Sequence, residues 1–360
     1  MHFLLRTPNF AFEAERWSYG ISSDQWSLRS EEFKCIYFCI PLLPEQTAIV
    51  RFLDYIDRRI RRVINARQKQ IKLLEEYKQA IIHQAVTGQI DVRTGKPYPA
   101  YKDSGVEWLG KVPEHWEVRR LGNVVEMRVS NVDKHSKEDE QLVRLCNYLD
   151  VYKNERIHEN MKFMRATASE EEIKKFHIEK GDILITKDSE DWNDIGVPAI
   201  VESSALDLIC GYHLAILRPS HKIQSLFLFR SLQSQILAYQ FHINANGVTR
   251  YGLSHNAIKT TLIFLPPLEE QKAITGYLDT EISNIEIATV SLYREIELLH
   301  EYRERLIADV VTGKLDVREM AEQLPEESEQ ELEEIEIEEE SEINDEEKVE
   351  AINEDEELEI

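Results

Sequence analysis

One stretch of the chain occurs twice. PEQTAIVRFLDYIDRRIRRVINARQKQIKLLEEYKQAIIHQAVTGQIDVR, ending at Arg93, returns as EEQKAITGYLDTEISNIEIATVSLYREIELLHEYRERLIADVVTGKLDVR, ending at Arg318. The offset is a constant 225 positions, as Gln46/Gln271, Leu53/Leu278, Asp54/Asp279, Tyr77/Tyr302 and Gly88/Gly313 show. About 19 of 49 aligned positions are identical without a gap, which marks a duplication. The fold must therefore hold two copies of one element.

Each copy reads as one long helix with a start and a stop. Pro44 and Glu45, then Pro267, Glu269 and Glu270, put proline and acid in the first turn. Proline costs no amide there, and negative charge meets the positive end of the helix dipole. Thr87-Gly88 and Thr312-Gly313 supply the glycine that accepts a left-handed C-terminal conformation. Between these signals apolar residues recur at spacings of four and three. The first copy runs Ile49, Leu53, Ile56, Ile60, Val63, then Arg67 and Gln70, then Leu74, Tyr77 and Ile81. The second runs Ile274, Leu278, Glu281, Ile285, Ala288, Leu292, Glu295, Leu299, Tyr302 and Leu306. This is a coiled-coil seam interrupted by polar positions.

A helix of about 40 residues is on the order of 60 Å long, which suits a spacer. Arg58, Arg59, Arg61 and Arg62 cluster near the start of the first copy, and Glu295, Glu297, Glu301 and Glu304 lie near the end of the second. An antiparallel pairing of the two helices brings these clusters together. The other reading is a pair of solvated charged faces.

The net charge of -24 is localised: from Glu319 to Ile360 there are about 22 acids against Lys348 alone. That segment is too charged and too poor in aromatics to fold by itself, so it reads as an acidic disordered tail over 319–360. It either competes for basic patches on partners or keeps the protein soluble, and the second is favoured. No apolar run is long enough to span a membrane and no signal-peptide pattern opens the chain. Cys35, Cys39, Cys146 and Cys210 show no zinc-ligand spacing. They read as reduced, buried thiols of a cytoplasmic protein.

Residues 1–43 contain Trp17, Trp26 and the run CIYFCIPLL, yet are too few to bury a core alone. Tyr19-Gly20 followed by FKCIYFCIPLLPEQ parallels Tyr251-Gly252 followed by IKTTLIFLPPLEEQ. The segment reads as the remnant of a first domain. The first helical unit then spans 44–93, a proline- and glycine-rich linker or hinge 94–113, a complete domain 105–265, and the second helical unit 266–318. Within the domain, Ile183–Thr186, Val197–Val201 and Cys210–Leu217 read as strands, and Ser225–Phe241 as a helix followed by a turn at Asn246-Gly247-Val248. The fold class is α+β: one complete α+β domain flanked by two long helices forming an antiparallel coiled coil.

Catalytic motifs are missing from the sequence: no Walker loop, no GxGxxG after a strand, no GxSxG, no HExxH and no methylase Asn-Pro-Pro-Tyr phrase. Asp182 with Lys187 and Asp188 has the look of a nuclease cluster, but charged loop residues around a strand are far commoner.

The duplicated PLxEQ-helix-VTGxxDVR unit resembles a specificity (S) subunit of a type I restriction-modification system. So do the phrases KDSGVEWLGKVPEHWEVRRLG, GDILIT, CGYHLAI and GVTRYGLS, and the likeness covers roughly residues 16–318. It implies a non-catalytic subunit whose recognition domain reads double-stranded DNA. It also implies long helices that bind the methyltransferase (M) subunits, with a restriction (R) subunit joining the complex. Cofactors are expected on those partners only, S-adenosylmethionine on the methyltransferase and ATP with magnesium on the restriction subunit; none is expected on this chain. The chain departs from the family pattern in carrying one complete recognition domain. It is either a truncated product or a half-subunit that forms a homodimer and reads a symmetric site. A scaffold that binds methyltransferase or another S subunit through its helices without reading DNA is the alternative.

Candidate DNA-binding residues are Lys187, Asp188, Ser189 and Trp192 in the loop after the GDILIT strand, and Asn246, Thr249, Arg250 and Tyr251 in the GVTRYG turn. Arginine can read guanine, and asparagine adenine, in the major groove. The domain is close to neutral, so any grip on phosphates must come from local patches. Gly247–Gly252 also reads as a purely structural turn. Tyr212 and His213 are expected to pack inside the domain, and Trp108 and Trp116 to pin the linker.

Overall fold

The computed structural model describes residues 2–5, 7–20, 27–37, 40–134, 137 and 140–325. Trp26, Cys39 and the expected tail beyond 325 lie outside them. The two long helices span Leu43–Val86 and Leu268–Val311, 44 residues each. Both boundaries differ by the same 225 positions as the sequence repeat. The caps repeat as well. Gln46 and Gln271 each donate a side-chain hydrogen bond to the carbonyl five residues back, Pro41 and Pro266. Thr87 and Thr312 each donate to the carbonyl four residues back, and Gly88 and Gly313 both sit at φ 75°. Such local signals give the same start and stop wherever the sequence recurs.

The chain divides into two compact units, one formed by Met1–Ile71 with Thr289–Ile360 and one by Lys72–Ala288. In the first, the long helices run antiparallel: Arg67 Nη2 pairs with Glu295 Oε1 at 3.0 Å, and Arg303 pairs with Asp57. The expected meeting of an arginine cluster with a glutamate cluster is only partly visible. Arg59 donates to Tyr55 and Arg61 pairs with Asp57, both on their own helix. The seam also shifts by one residue. Ile64, not Val63, is buried after Ile60, because a spacing of four keeps the side chain on the core-facing stripe. At the end of this unit Phe52, Leu53, Val310, Val317 and Ala321 form a small core, with Phe3 and Leu324 against it. Ala321 belongs to a short helix, Arg318–Glu322, so the acidic stretch expected from Glu319 begins inside packed structure. Cys35 is exposed rather than buried.

The second unit is built on a five-stranded sheet in the order Val125–Val129, Leu214–Pro219, Ile183–Thr186, Pro198–Val201, Arg156–Ile157. All pairings are antiparallel except the last. The ILIT strand is buried at every position because both of its faces are covered. Ile183, Ile185, Ala215 and Leu217 face a core with Phe227, Phe241, Trp116, Ile82 and Leu278. The alternate residues Leu184, Leu214 and Ile216 face a second core with Val143, Leu145, Ala166 and Ile209. That second core is backed by a three-stranded sheet, Leu208–Cys210, Gln141–Cys146 and Met164–Ala168. Cys146 and Cys210 are register partners there, buried and free, and burial pushes both thiols up.

The expected helix Ser225–Phe241 is two helices, Ser225–Leu232 and Gln235–Asn244. The break is at Ser234, whose hydroxyl donates to the Ser231 carbonyl. Cys210–Leu217 is likewise two strands parted at Gly211, Leu208–Cys210 and Leu214–Pro219. The stretch 94–113 carries structure of its own. Tyr101–Asp103 pairs with Lys111–Pro113, and Tyr98, Val112 and Trp116 are buried against the long helices. Trp108, expected to pin this segment, is half exposed.

Candidate nucleic-acid interface

Beyond Thr186 the ILIT strand leads into a loop held at its base. Thr186 Oγ1 donates to the Asp194 carbonyl at 2.9 Å and accepts from the Val197 amide at 2.9 Å. The first residues of the loop, Asp188–Ser189, form a short strand that pairs with Tyr251–Leu253, which in turn pairs with Ala245–Asn246. Tyr251 stands opposite Ser189 and Gly252 opposite Asp188. Two segments more than fifty residues apart thus share one small sheet. Glycine is required at the start of the turn, and the end of the turn is tightly packed. Gly247 has φ 157°, and a Cβ there would lie 1.9 Å from the Arg250 carbonyl oxygen. A Cβ on Gly252 would lie 3.0 Å from Asp188 Oδ1.

All eight predicted residues lie on or beside this sheet, in three different settings. Trp192 (46% exposed), Asn246, Thr249 and Arg250 are exposed, together with Val248. Lys187, Asp188 and Tyr251 are partly buried. Ser189 is only 4% exposed, and its hydroxyl lies 3.3 Å from Tyr148 Oη. It therefore supports the loop and is out of reach of a base edge. Lys187 pairs with Asp188, whose carboxylate also lies 3.3 Å from His213 Nδ1. Arg250 Nη2 lies 3.2 Å from His213 Nε2. A neutral imidazole with its proton on Nδ1 satisfies both neighbours, donating to Asp188 and accepting from Arg250. Burial pushes the Asp188 carboxyl up, but the His213 hydrogen bond and Lys187 outweigh it and hold it below its ordinary value.

His213 thus orients Arg250, a role that its position in CGYHLAI did not reveal. Tyr212 beside it is partly exposed instead of packed inside. The Trp192 indole meets the His242 ring edge-on, centroids 5.4 Å apart. This ties the loop to the helix Gln235–Asn244. A cleft of about 300 Å³ opens beside it, lined by Asn193, Gly196, Tyr152 and His242 among others. Asp182 sits before the strand, buried, bound by Arg218 at 2.7 and 2.8 Å. Among the described residues no helix is long and apolar enough to cross a membrane.

Exposed arginine, asparagine and threonine on the turn, with an exposed indole on the neighbouring loop, can hydrogen-bond and stack on nucleobases. Its local charge is not that of a phosphate clamp, since Glu190, Asp191 and Asp194 stand beside Lys187 and Arg250.

Residues 113–298 match the model of the type I restriction modification DNA specificity domain. The chain is similar to a protein of Methanocaldococcus jannaschii named as the MjaX specificity subunit of a type I restriction enzyme. They are 27% identical over 57% of this chain and 47% of that one. It is also similar to the type I restriction enzyme MjaVIII specificity subunit of the same organism, 24% identical over 80% of this chain and 64% of that one. The chain thus spans about half of the first relative and less than two thirds of the second. A chain of a solved type I R-M system superimposes with a TM-score of 0.64 at 18% identity, covering 87% of this chain and 70% of that one. That likeness concerns the fold.

Proposed function

Because the chain belongs to the type I restriction modification DNA specificity domain family, we propose that it is a non-catalytic DNA-recognition subunit. In this reading the Lys72–Ala288 unit reads duplex DNA with the small sheet of Asp188–Ser189, Ala245–Asn246 and Tyr251–Leu253. The long helices bind methyltransferase subunits. The chemistry belongs to the partners: methyl transfer from S-adenosylmethionine on the M subunits, and ATP- and magnesium-dependent work on the R subunit. The complex works in the cytoplasm with one or two copies of this chain.

The observation that carries the reading is the convergence of two distant segments, which exposes Arg250, Asn246, Thr249 and Trp192 together. Arg250 is pre-oriented by His213, which suits a bidentate contact to one base. The acidic residues Glu190, Asp191 and Asp194 keep non-specific phosphate binding here weak, so affinity must come from elsewhere in the complex. Those same acids favour the second reading, a scaffold that binds methyltransferase without reading DNA.

Reconstitution with the cognate methyltransferase subunit, followed by mapping of methylated sites, separates the two. The expected result is one defined site. Arg250→Ala should relax the preference at one base pair, by about 10–100-fold. A stable complex that methylates without sequence preference would establish the scaffold.

A further inference from the structure

The duplication creates two equivalent junctions, and they are covered differently. Each joins the end of one long helix, the Thr-Gly turn and the Asp-Val-Arg phrase to the start of the other long helix. In the unit Lys72–Ala288 the junction comprises Ile82, Ala85, Val86 and Val92 with Ile274 and Leu278. In the other unit the residues 225 positions away in the repeat, Ile307, Val310, Val311, Val317, Ile49 and Leu53, form the counterpart.

The first junction is closed by the segment Tyr98–Trp116. Pro113 and Trp116 lie on Gly88, so close that a Cβ there would be 2.5 Å from Pro113 Cγ and 3.1 Å from Trp116 Cζ3. Glu270, 4% exposed, accepts from the Tyr98 hydroxyl and from Arg93 at 3.4 Å, and lies 2.7 Å from His115 Nε2. At the second junction the counterpart of Glu270 is Glu45, whose carboxylate feels the charge of Arg318 but holds no side-chain hydrogen bond or ion pair among the described residues. Gly313 has the same φ of 75° as Gly88, yet among the described residues no atom lies within 4 Å of where its Cβ would be. Ile49, Ile307 and Val311 are only partly buried, whereas Ile274, Ile82 and Val86 are fully so. Asp316 and Arg318 pair as Asp91 and Arg93 do, but in the open.

We infer that the Glu45–Gly313 junction is a docking site for a proline–aromatic segment of another polypeptide, with the chemistry of Tyr98–Trp116. A tryptophan and proline cover Gly313 and Val311, and a tyrosine hydroxyl and an imidazole donate to Glu45. The chain's own segment does not serve, because it is committed to the first junction. Its tether gives it an effective concentration there on the order of millimolar, which a micromolar free peptide does not displace.

The test is titration of the full chain with a fluorescent peptide, residues Lys96–Val118, followed by cross-linking from a photoreactive group at the Pro113 position. Saturable one-to-one binding with cross-links to Glu45–Leu53 or Leu306–Val317 is expected. Trp116→Ala in the peptide should abolish binding. The Glu45→Gln chain should bind about tenfold more weakly, as a charged acceptor is lost. No saturable binding, or cross-links confined to the first junction, or binding indifferent to both changes, would overturn the inference.

Discussion

Gly88 and Gly313 are the same residue in two settings, and they separate two costs that usually come together. Both are left-handed, so alanine strains the backbone at either by about 1 kcal/mol. Only at Gly88 does the new methyl also strike Pro113 and Trp116, which adds an overpacking cost of about 2 kcal/mol. Denaturant unfolding should therefore show Gly88→Ala clearly more destabilising than Gly313→Ala; equal losses would mean that the segment over Gly88 yields. At Gly247 the obstacle is the chain itself. Gly247→Ala should disrupt the turn and weaken sequence-specific DNA binding, with little change in the melting of the five-stranded sheet, as read by hydrogen exchange. In sequence, the lysine loop and the arginine turn were each legible as candidates. What joined them, a strand pairing two residues long and the imidazole of His213, was not. Short pairings between distant segments leave no periodic trace, and a histidine in an apolar strand reads as core.

Among elements, the domain between the long helices is fastened to them by a buried cation. Arg230, nearly inaccessible, pairs with Glu155 Oε2 at 3.2 Å and with Asp279 Oδ1 of the second long helix at 3.5 Å. Lys78 of the first long helix takes the other Glu155 oxygen at 2.7 Å. Arg230→Ala removes one of two cations from each carboxylate, Lys78 staying on Glu155 and Arg156 near Asp279 at 4.0 Å. Both carboxylates are partly solvated, so the loss should be about 1–2 kcal/mol, with weakened coupling between the domain and its helices visible in hydrogen exchange. Burial pushes the Glu155 carboxyl up, but Lys78 and Arg230 outweigh it, so its folded value lies below the ordinary 4.5. A lowered folded value adds stability above pH 4.5, and this is lost as pH falls through the folded value. Stability of this unit should thus drop on acidification below about pH 4.5, and Glu155→Gln should flatten that slope while lowering stability at neutral pH. The two helices themselves were legible to within a residue or two. Their partner-dependent details, such as the shift from Val63 to Ile64, were not, because a seam is settled by what packs on it.

At the scale of the molecule, most of the net charge of -24 belongs to the C-terminal acidic stretch. We expect deletion of residues 326–360 to leave DNA affinity at low salt unchanged and to reduce solubility. A rise in affinity on deletion would show that the stretch competes with DNA for basic surfaces on the complex. The sequence by itself determined the two 44-residue helices, their caps and their common turn, because capping, helical period and glycine at positive φ are local and recur wherever the residues recur. It also determined the α+β class of the domain between them, through short apolar runs of strand length and the helical stretch that follows them. Only the tertiary structure decided that, among the described residues, two equal junctions are unequally covered. Only it brought Asp188 opposite Gly252 and set Arg230 beneath both helices. These outcomes depend on which distant segments meet, and the free energy of such meetings is carried by packing and ion pairs that no local stretch of sequence encodes.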